Sequence, residues 1–166
     1  MPTLILTDFS KTLTAPTAKT TWSLFKESGL FAKDYAAKRD ELFETYRPFE
    51  IERDDEMVGE WFGKHLDLLA EYGAMQRMTD VVHFGLDEDI LIPRKGFGEF
   101  FDYVKHKGIV VRIVSSGVSE LIQRFLATHG VKYPIGFPNK ESCGIFGNDI
   151  LEHDGIRSIR TPAKKM

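Results

Sequence analysis

The stretch Leu4-Ile5-Leu6-Thr7-Asp8-Phe9-Ser10-Lys11-Thr12-Leu13-Thr14 decides how the whole chain is read. It starts with a short apolar run close to the N-terminus, the pattern of a buried parallel strand. The run ends in an aspartate, has a polar residue two places on, and closes in a turn carrying Thr12 and Thr14. A strand that delivers a carboxylate to its carboxyl end is the usual arrangement of a site on an open α/β sheet. On spacing alone a second reading stands beside this one, in which Asp8 simply begins the turn.

Downstream of Thr14 the periodicity changes from strand to helix. Thr20–Ser28 is a short amphipathic segment with Trp22 and Phe25 on one side, stopped by Gly29. Tyr35–Tyr46 is a second, and Arg47-Pro48-Phe49 breaks it, because the residue before a proline is steered away from helical backbone angles. Asp54-Asp55-Glu56 places acids in the first turn of a longer helix, where they complement its dipole. That helix carries Met57, Val58, Trp61, Phe62, Leu68, Leu69 and Tyr72 on its apolar face and ends at Gly73. A weaker helix covers Met78–Phe84, so residues 16–88 read as all-helical.

The α/β pattern resumes at Pro93. Phe97, Phe100, Phe101 and Val104 mark one helix face, closed by Gly108, and Ile109–Val114 is a strongly β-branched strand. Ser115-Ser116-Gly117 reads as a turn and Glu120–His129 as the helix after it. Tyr133–Phe137 fits another short strand. Ile145–Leu151 and Gly155–Ile159 fit two more, joined through the hairpin signal His153-Asp154-Gly155. The order implies an α/β fold: a Rossmann-like core with a parallel sheet, residues 1–15 and 89–166, and an all-helical cap, residues 16–88, inserted between its first and second strands.

Composition narrows the function. The chain has 166 residues, 42% hydrophobic and 28% charged, ordinary values for a globular protein. A net charge of −3 argues against a nucleic-acid partner, which needs a basic face. No apolar run approaches the roughly 20 residues of a membrane span, and no leader peptide is visible, so no membrane partner is expected. The lone Cys143 fits a reducing cytoplasm and reads as an incidental thiol. His65, His83, His106, His129 and His153 show no metal-ligand spacing and read as structural or surface residues.

Asp8-Phe9-Ser10-Lys11-Thr12-Leu13 resembles the first motif of the haloacid dehalogenase-like (HAD) hydrolases, D-x-D-x-T-[LV] after a hydrophobic strand. Ile113-Val114-Ser115-Ser116-Gly117 resembles their second motif, and Thr161-Pro162-Ala163-Lys164-Lys165 their third. The resemblance implies that Asp8 is the nucleophile that forms an aspartyl-phosphate. It implies that Ser115, with Ser116 and Gly117, receives the phosphate, and that Lys164, with Lys165 beside it, neutralises the charge. A Mg²⁺ cofactor would be bound by the Asp8 carboxylate and the carbonyl of Ser10. Two departures stand out. Ser10 replaces the second aspartate, the family's general acid, and the fourth, acidic motif is absent from the sequence. Without the strand that carries it, the sheet has an open apolar edge beside Asp8. A homodimer partner or a missing C-terminal segment would cover such an edge.

Leu42-Phe43-Glu44-Thr45-Tyr46-Arg47-Pro48-Phe49-Glu50, followed by Met57, Glu60-Trp61-Phe62 and His65, is similar to the cap of the pyrimidine 5′-nucleotidase branch. Phosphoserine phosphatases share the fold class and a helical cap. The similarity implies that Glu50 and Trp61 contact a nucleobase. The expected protein is therefore a cytoplasmic, Mg²⁺-dependent phosphatase acting on a small phosphorylated metabolite, with nucleotides among the candidates. The alternative is an impaired or truncated relative that binds a phosphorylated ligand without turnover.

Overall fold

The computed structural model describes residues 4–74, 76–88, 90–131, 145–153 and 156–160, the last two stretches by their backbone alone. The described residues form β1 (Leu4–Thr7), α1 (Thr21–Glu27), α2 (Lys33–Glu52), α3 (Asp55–Glu71), α4 (Met78–Asp87) and α5 (Phe97–His106), then β2 (Val110–Val118), α6 (Ser119–Thr128), β3 (Ile145–His153) and β4 (Ile156–Arg160). The strands form one four-stranded sheet in the order β1-β2-β3-β4. β1 and β2 run parallel, as do β2 and β3, and β3 and β4 make an antiparallel hairpin. The strand expected at Tyr133–Phe137 lies outside the described residues, as does Cys143.

Compact packing divides the chain at Leu24/Phe25 and Val81/Val82 into a sheet unit and a helical unit, so both divisions fall inside helices. Residues 16–24 and 82–88 group with the sheet. In the sheet unit the core is aromatic. Phe9 is 0% exposed and meets Phe125 edge-on, with ring centroids 5.2 Å apart. Phe125 in turn packs edge-on against Phe97 at 5.5 Å. Val111 and Ile113 of β2 and Leu121, Ile122 and Leu126 of α6 are buried with them. Leu24 of α1 packs so closely on Gly85 of α4 that a Cβ there would stand 2.8 Å from Leu24 Cδ1.

β1 corrects the expectation of a strand buried on both faces. Leu4 is 55% and Leu6 66% exposed. Leu4 and Leu6 point to one face of the sheet and Ile5 and Thr7 to the other, so it is the leucine face that is open; β1 is also the outer strand, and no described element pairs beyond it. Its parallel pairing with β2 survives because Ile5 and Thr7 are half-buried and the next residue but one, Phe9, anchors the strand in the core.

In the helical unit α2 runs on through Pro48 to Glu52, where a break was expected. Glu44, Arg47 and Pro48 are exposed, so the carbonyl that loses its donor to proline is open to solvent rather than buried. The helix ends instead at Arg53, whose backbone is left-handed (φ 60°) and whose N–H bonds back to Glu50. α3 begins as the sequence indicated. Asp54 caps it by accepting the Met57 N–H at 3.1 Å, with Asp55 and Glu56 in the first turn. α2 and α3 are joined by the Tyr46 hydroxyl, which donates to Glu60 at 2.6 Å, and by contact between the Phe43 and Trp61 rings.

Candidate active site

The site is built on the register of two strands. Leu4 to Thr7 pair with Val110 to Ile113, residue for residue. Asp8 and Val114 therefore leave the paired region side by side on strands about 4.8 Å apart, and Ser115 follows Val114. Asp8 is exposed, Phe9 buried and Ser10 half-buried. The buried phenyl ring between them is what fixes the carboxylate at the rim of the sheet.

Beyond Asp8 the chain turns sharply. The N–H groups of Thr12, Leu13 and Thr14 all point to the Phe9 carbonyl, at 3.3, 2.9 and 3.2 Å. Lys11 takes the left-handed conformation at φ 60°, and its N–H donates to the hydroxyl of the fully buried Thr14 at 2.8 Å. The Arg94 guanidinium clasps the Lys11 carbonyl from outside. Thr14 is bridged to Pro93, and the Arg94 N–H returns to the Leu13 carbonyl at 2.9 Å. Among the described residues, the Asp8 carboxylate and the Ser10 carbonyl have no hydrogen-bond partner. Both groups are thus available to a ligand or a cation.

The serine segment differs from the expected turn before a helix. Ser115-Ser116-Gly117 stays within β2, which runs to Val118 with its register to β3 shifted between Val114 and Val118. α6 then starts at Ser119, with no side-chain cap at Val118. Local bonding and α1 together explain the difference. Ser115 Oγ accepts the Gly117 N–H at 3.1 Å, Thr21 Oγ1 accepts the Val118 N–H at 3.1 Å, and the Trp22 indole donates to the Ser116 carbonyl at 2.8 Å. These partners hold the segment extended, and the Gly117 amide is spent inside it.

Of the residues singled out from sequence, Asp8, Ser10, Ser115, Ser116 and Gly117 come to one edge of the sheet unit. Glu50 and Trp61 belong to the helical unit. Glu50 is exposed near the end of α2, while Trp61 in α3 stacks on Phe62 with centroids 5.7 Å apart. No hydrogen bond joins Glu50 to Trp61, and the Trp61 indole nitrogen is buried without a hydrogen-bond partner among the described residues. Lys164 and Lys165 lie outside the described residues. Thr21, Trp22 and Arg94 support the site yet were not singled out from sequence, since Thr21 and Trp22 read only as part of an amphipathic helix, whereas Thr14 was already placed in the turn after Asp8.

The pyrimidine 5′-nucleotidase (UMPH-1) family matches this chain over residues 5–136. The chain belongs to that family. The pyrimidine 5′-nucleotidase match takes in Asp8, Ser10, Glu50, Trp61 and Ser115–Gly117, but not Lys164. A similar curated protein is the 7-methylguanosine phosphate-specific 5′-nucleotidase of Gallus gallus, 23% identical over 141 residues, which make up 78% of this chain and 48% of that one. The chain thus spans about half the length of this curated nucleotidase relative. Among solved structures, cytosolic 5′-nucleotidase IIIB bound to cytidine superposes with a TM-score of 0.68 at 20% identity, over 96% of this chain and 54% of the other. A phosphoserine phosphatase described as a phospho-aspartyl intermediate analogue gives 0.52 at 17% identity, over 96% and 63%. At these identities the structures establish a shared fold: the HAD-type α/β core expected from the sequence.

Proposed function

We propose that this protein is a Mg²⁺-dependent phosphohydrolase that works through an aspartyl-phosphate at Asp8, with pyrimidine nucleoside 5′-monophosphates as its substrate class. The observation that carries this reading is the parallel register of β1 and β2, which sets the Asp8 carboxylate beside the strand that bears Ser115. Family membership and the single cysteine support a cytoplasmic phosphatase. Among the described residues no cluster of three or more His, Cys, Asp or Glu could hold a metal. The donors present still suit Mg²⁺, which binds hard oxygens, needs only one or two carboxylates, and leaves other positions to water and phosphate. The Asp8 carboxylate and the Ser10 carbonyl would hold it. Bound there, Mg²⁺ supplies charge neutralisation and alignment of the phosphoryl group.

An Asp8 oxygen attacks phosphorus as the bond to the nucleoside 5′ oxygen breaks, and the electron pair leaves with that oxygen. The Ser115 hydroxyl oxygen already accepts the Gly117 N–H, so its proton is free to donate to a phosphoryl oxygen. Ser116 and Gly117 shape the cradle, and Lys164 balances the negative charge. Water then attacks the acyl phosphate, releasing orthophosphate and restoring the carboxylate. Glu50 and Trp61 select the base, the indole by stacking worth about 1–3 kcal/mol.

Ser10 cannot protonate the leaving group as a carboxylic acid does, a loss worth about 10²–10⁴ in rate. The same feature favours a second reading, binding without turnover. Two measurements separate them: orthophosphate release from cytidine 5′-monophosphate and from acetyl phosphate, and trapping of Asp8 with beryllium fluoride and Mg²⁺. The phosphohydrolase reading requires both to occur in the wild type and to vanish in Asp8→Asn. Faster turnover of the alkyl monophosphate than of acetyl phosphate would remove the limiting role given to Ser10.

A further inference from the structure

Both peptide planes around Gly117 are held by the first turn of α1. The Ser116 carbonyl, in the peptide before Gly117, takes the Trp22 indole N–H at 2.8 Å. The Val118 N–H, in the peptide after it, is taken by Thr21 Oγ1 at 3.1 Å. Thr21 is 0% exposed, and a hydroxyl buried that completely is costly unless it is bonded. Its one bond to Val118 meets that cost; a valine of the same shape would fill the space but leave the Val118 N–H without its acceptor. The fit is tight: a Cβ on Gly117 would lie 2.7 Å from Thr21 Oγ1 and 3.2 Å from Ser115 Oγ.

We infer that Thr21 and Trp22 are positioning residues that aim the Ser115 hydroxyl at a phosphoryl group. This rests on the phosphohydrolase reading above. Ser115 Oγ is oriented by the Gly117 N–H, and Gly117 is oriented by the two α1 bonds, so the hydroxyl that touches substrate is two hydrogen bonds from Thr21, linked through the Gly117–Val118 peptide. Release of either α1 bond lets a peptide plane beside Gly117 turn, and the Ser115 oxygen loses the partner that fixes its rotamer.

The test is calorimetric binding of orthophosphate with Mg²⁺ to the purified protein and to Thr21→Val, Thr21→Ser and Trp22→Phe. Trp22→Phe keeps an aromatic ring but removes the indole N–H donor, so it carries the test should Thr21→Val fail to fold. Thr21→Val and Trp22→Phe are each expected to weaken orthophosphate 10- to 100-fold at unchanged stoichiometry per folded molecule, and Thr21→Ser to stay within twofold of wild type. Unchanged stoichiometry separates a misaimed hydroxyl from a partly unfolded sample. Wild-type affinity in both folded variants overturns the inference and leaves the phosphohydrolase reading standing. A wild type that neither binds orthophosphate nor releases it from any phosphate ester overturns that reading and this inference together.

Discussion

Gly117→Ala tests the packing of the site in a single methyl group. The added Cβ would sit 2.7 Å from Thr21 Oγ1, 3.2 Å from Ser115 Oγ and 3.5 Å from Ile122 Cδ1. Ile122 can yield, being at ordinary contact distance. Thr21 cannot, because it is fully buried and its oxygen holds the Val118 N–H. Overpacking a rigid site of this kind costs about 1–3 kcal/mol. For a chain of this length each kcal/mol lowers Tm by roughly 2–4 °C. Urea unfolding should therefore show a lower midpoint at an unchanged slope. The cause can be isolated by a double-mutant cycle. Thr21→Ala alone removes the acceptor of a buried N–H and costs about 1–3 kcal/mol, but it also clears the space the new methyl needs. Gly117→Ala made in the Thr21→Ala background should then cost less than in the wild type, with a coupling of about 0.5–3 kcal/mol. Additive losses, or a Gly117→Ala protein as stable as wild type, would falsify the close approach on which the argument depends.

Three further outcomes are expected. Ser10→Asp restores a general acid, so turnover of an alkyl phosphate should rise by about 10²–10⁴ while acetyl phosphate changes little; steady-state kinetics on both substrates decides it. Phe9→Ala should lose about 3–5 kcal/mol of stability, because the ring is wholly buried against Phe125, and should release the Asp8 turn with it; denaturant unfolding measures this, and a loss under 1 kcal/mol contradicts it. His65 is 6% exposed, and burial, aided by the positive charge of Arg39, pushes its imidazole down to about 4. Between pH 6.5 and 4 the unfolded chain binds a proton that the folded protein does not, so stability should fall as pH drops through that window, by about 3 kcal/mol in total. In His65→Gln that part of the slope should disappear, and identical slopes for the two proteins would refute the assignment.

Much of the site was legible because its residues are neighbours in sequence. Asp8, Ser10, Thr12 and Leu13 form one motif and Ser115–Gly117 a second, and the strand before each is apolar enough to be read in isolation. The acids at Asp54-Asp55-Glu56 and the hairpin flanking Asp154-Gly155 were equally local, although Asp54 proved to be the cap rather than a first-turn residue. Pro48 was misread because its local preference was outweighed. The turns on either side are helical, Pro48 is exposed, and Arg53 provides a better stop. Thr21 and Trp22 were missed because each looks like an ordinary first-turn residue. What matters is their bonds to residues 97 and 94 positions away.

By itself, then, the sequence determined most of the strands and helices, through periodicities of a few residues, and, through the resemblance of its short motifs, the family. Only the tertiary structure decided that Leu4 and Leu6 face solvent, that Phe9 is buried between Asp8 and Ser10, and that α1 bonds to the serine segment in an extended form. Burial and hydrogen bonding across nearly a hundred residues are properties of the packed chain, and no local window of sequence contains them.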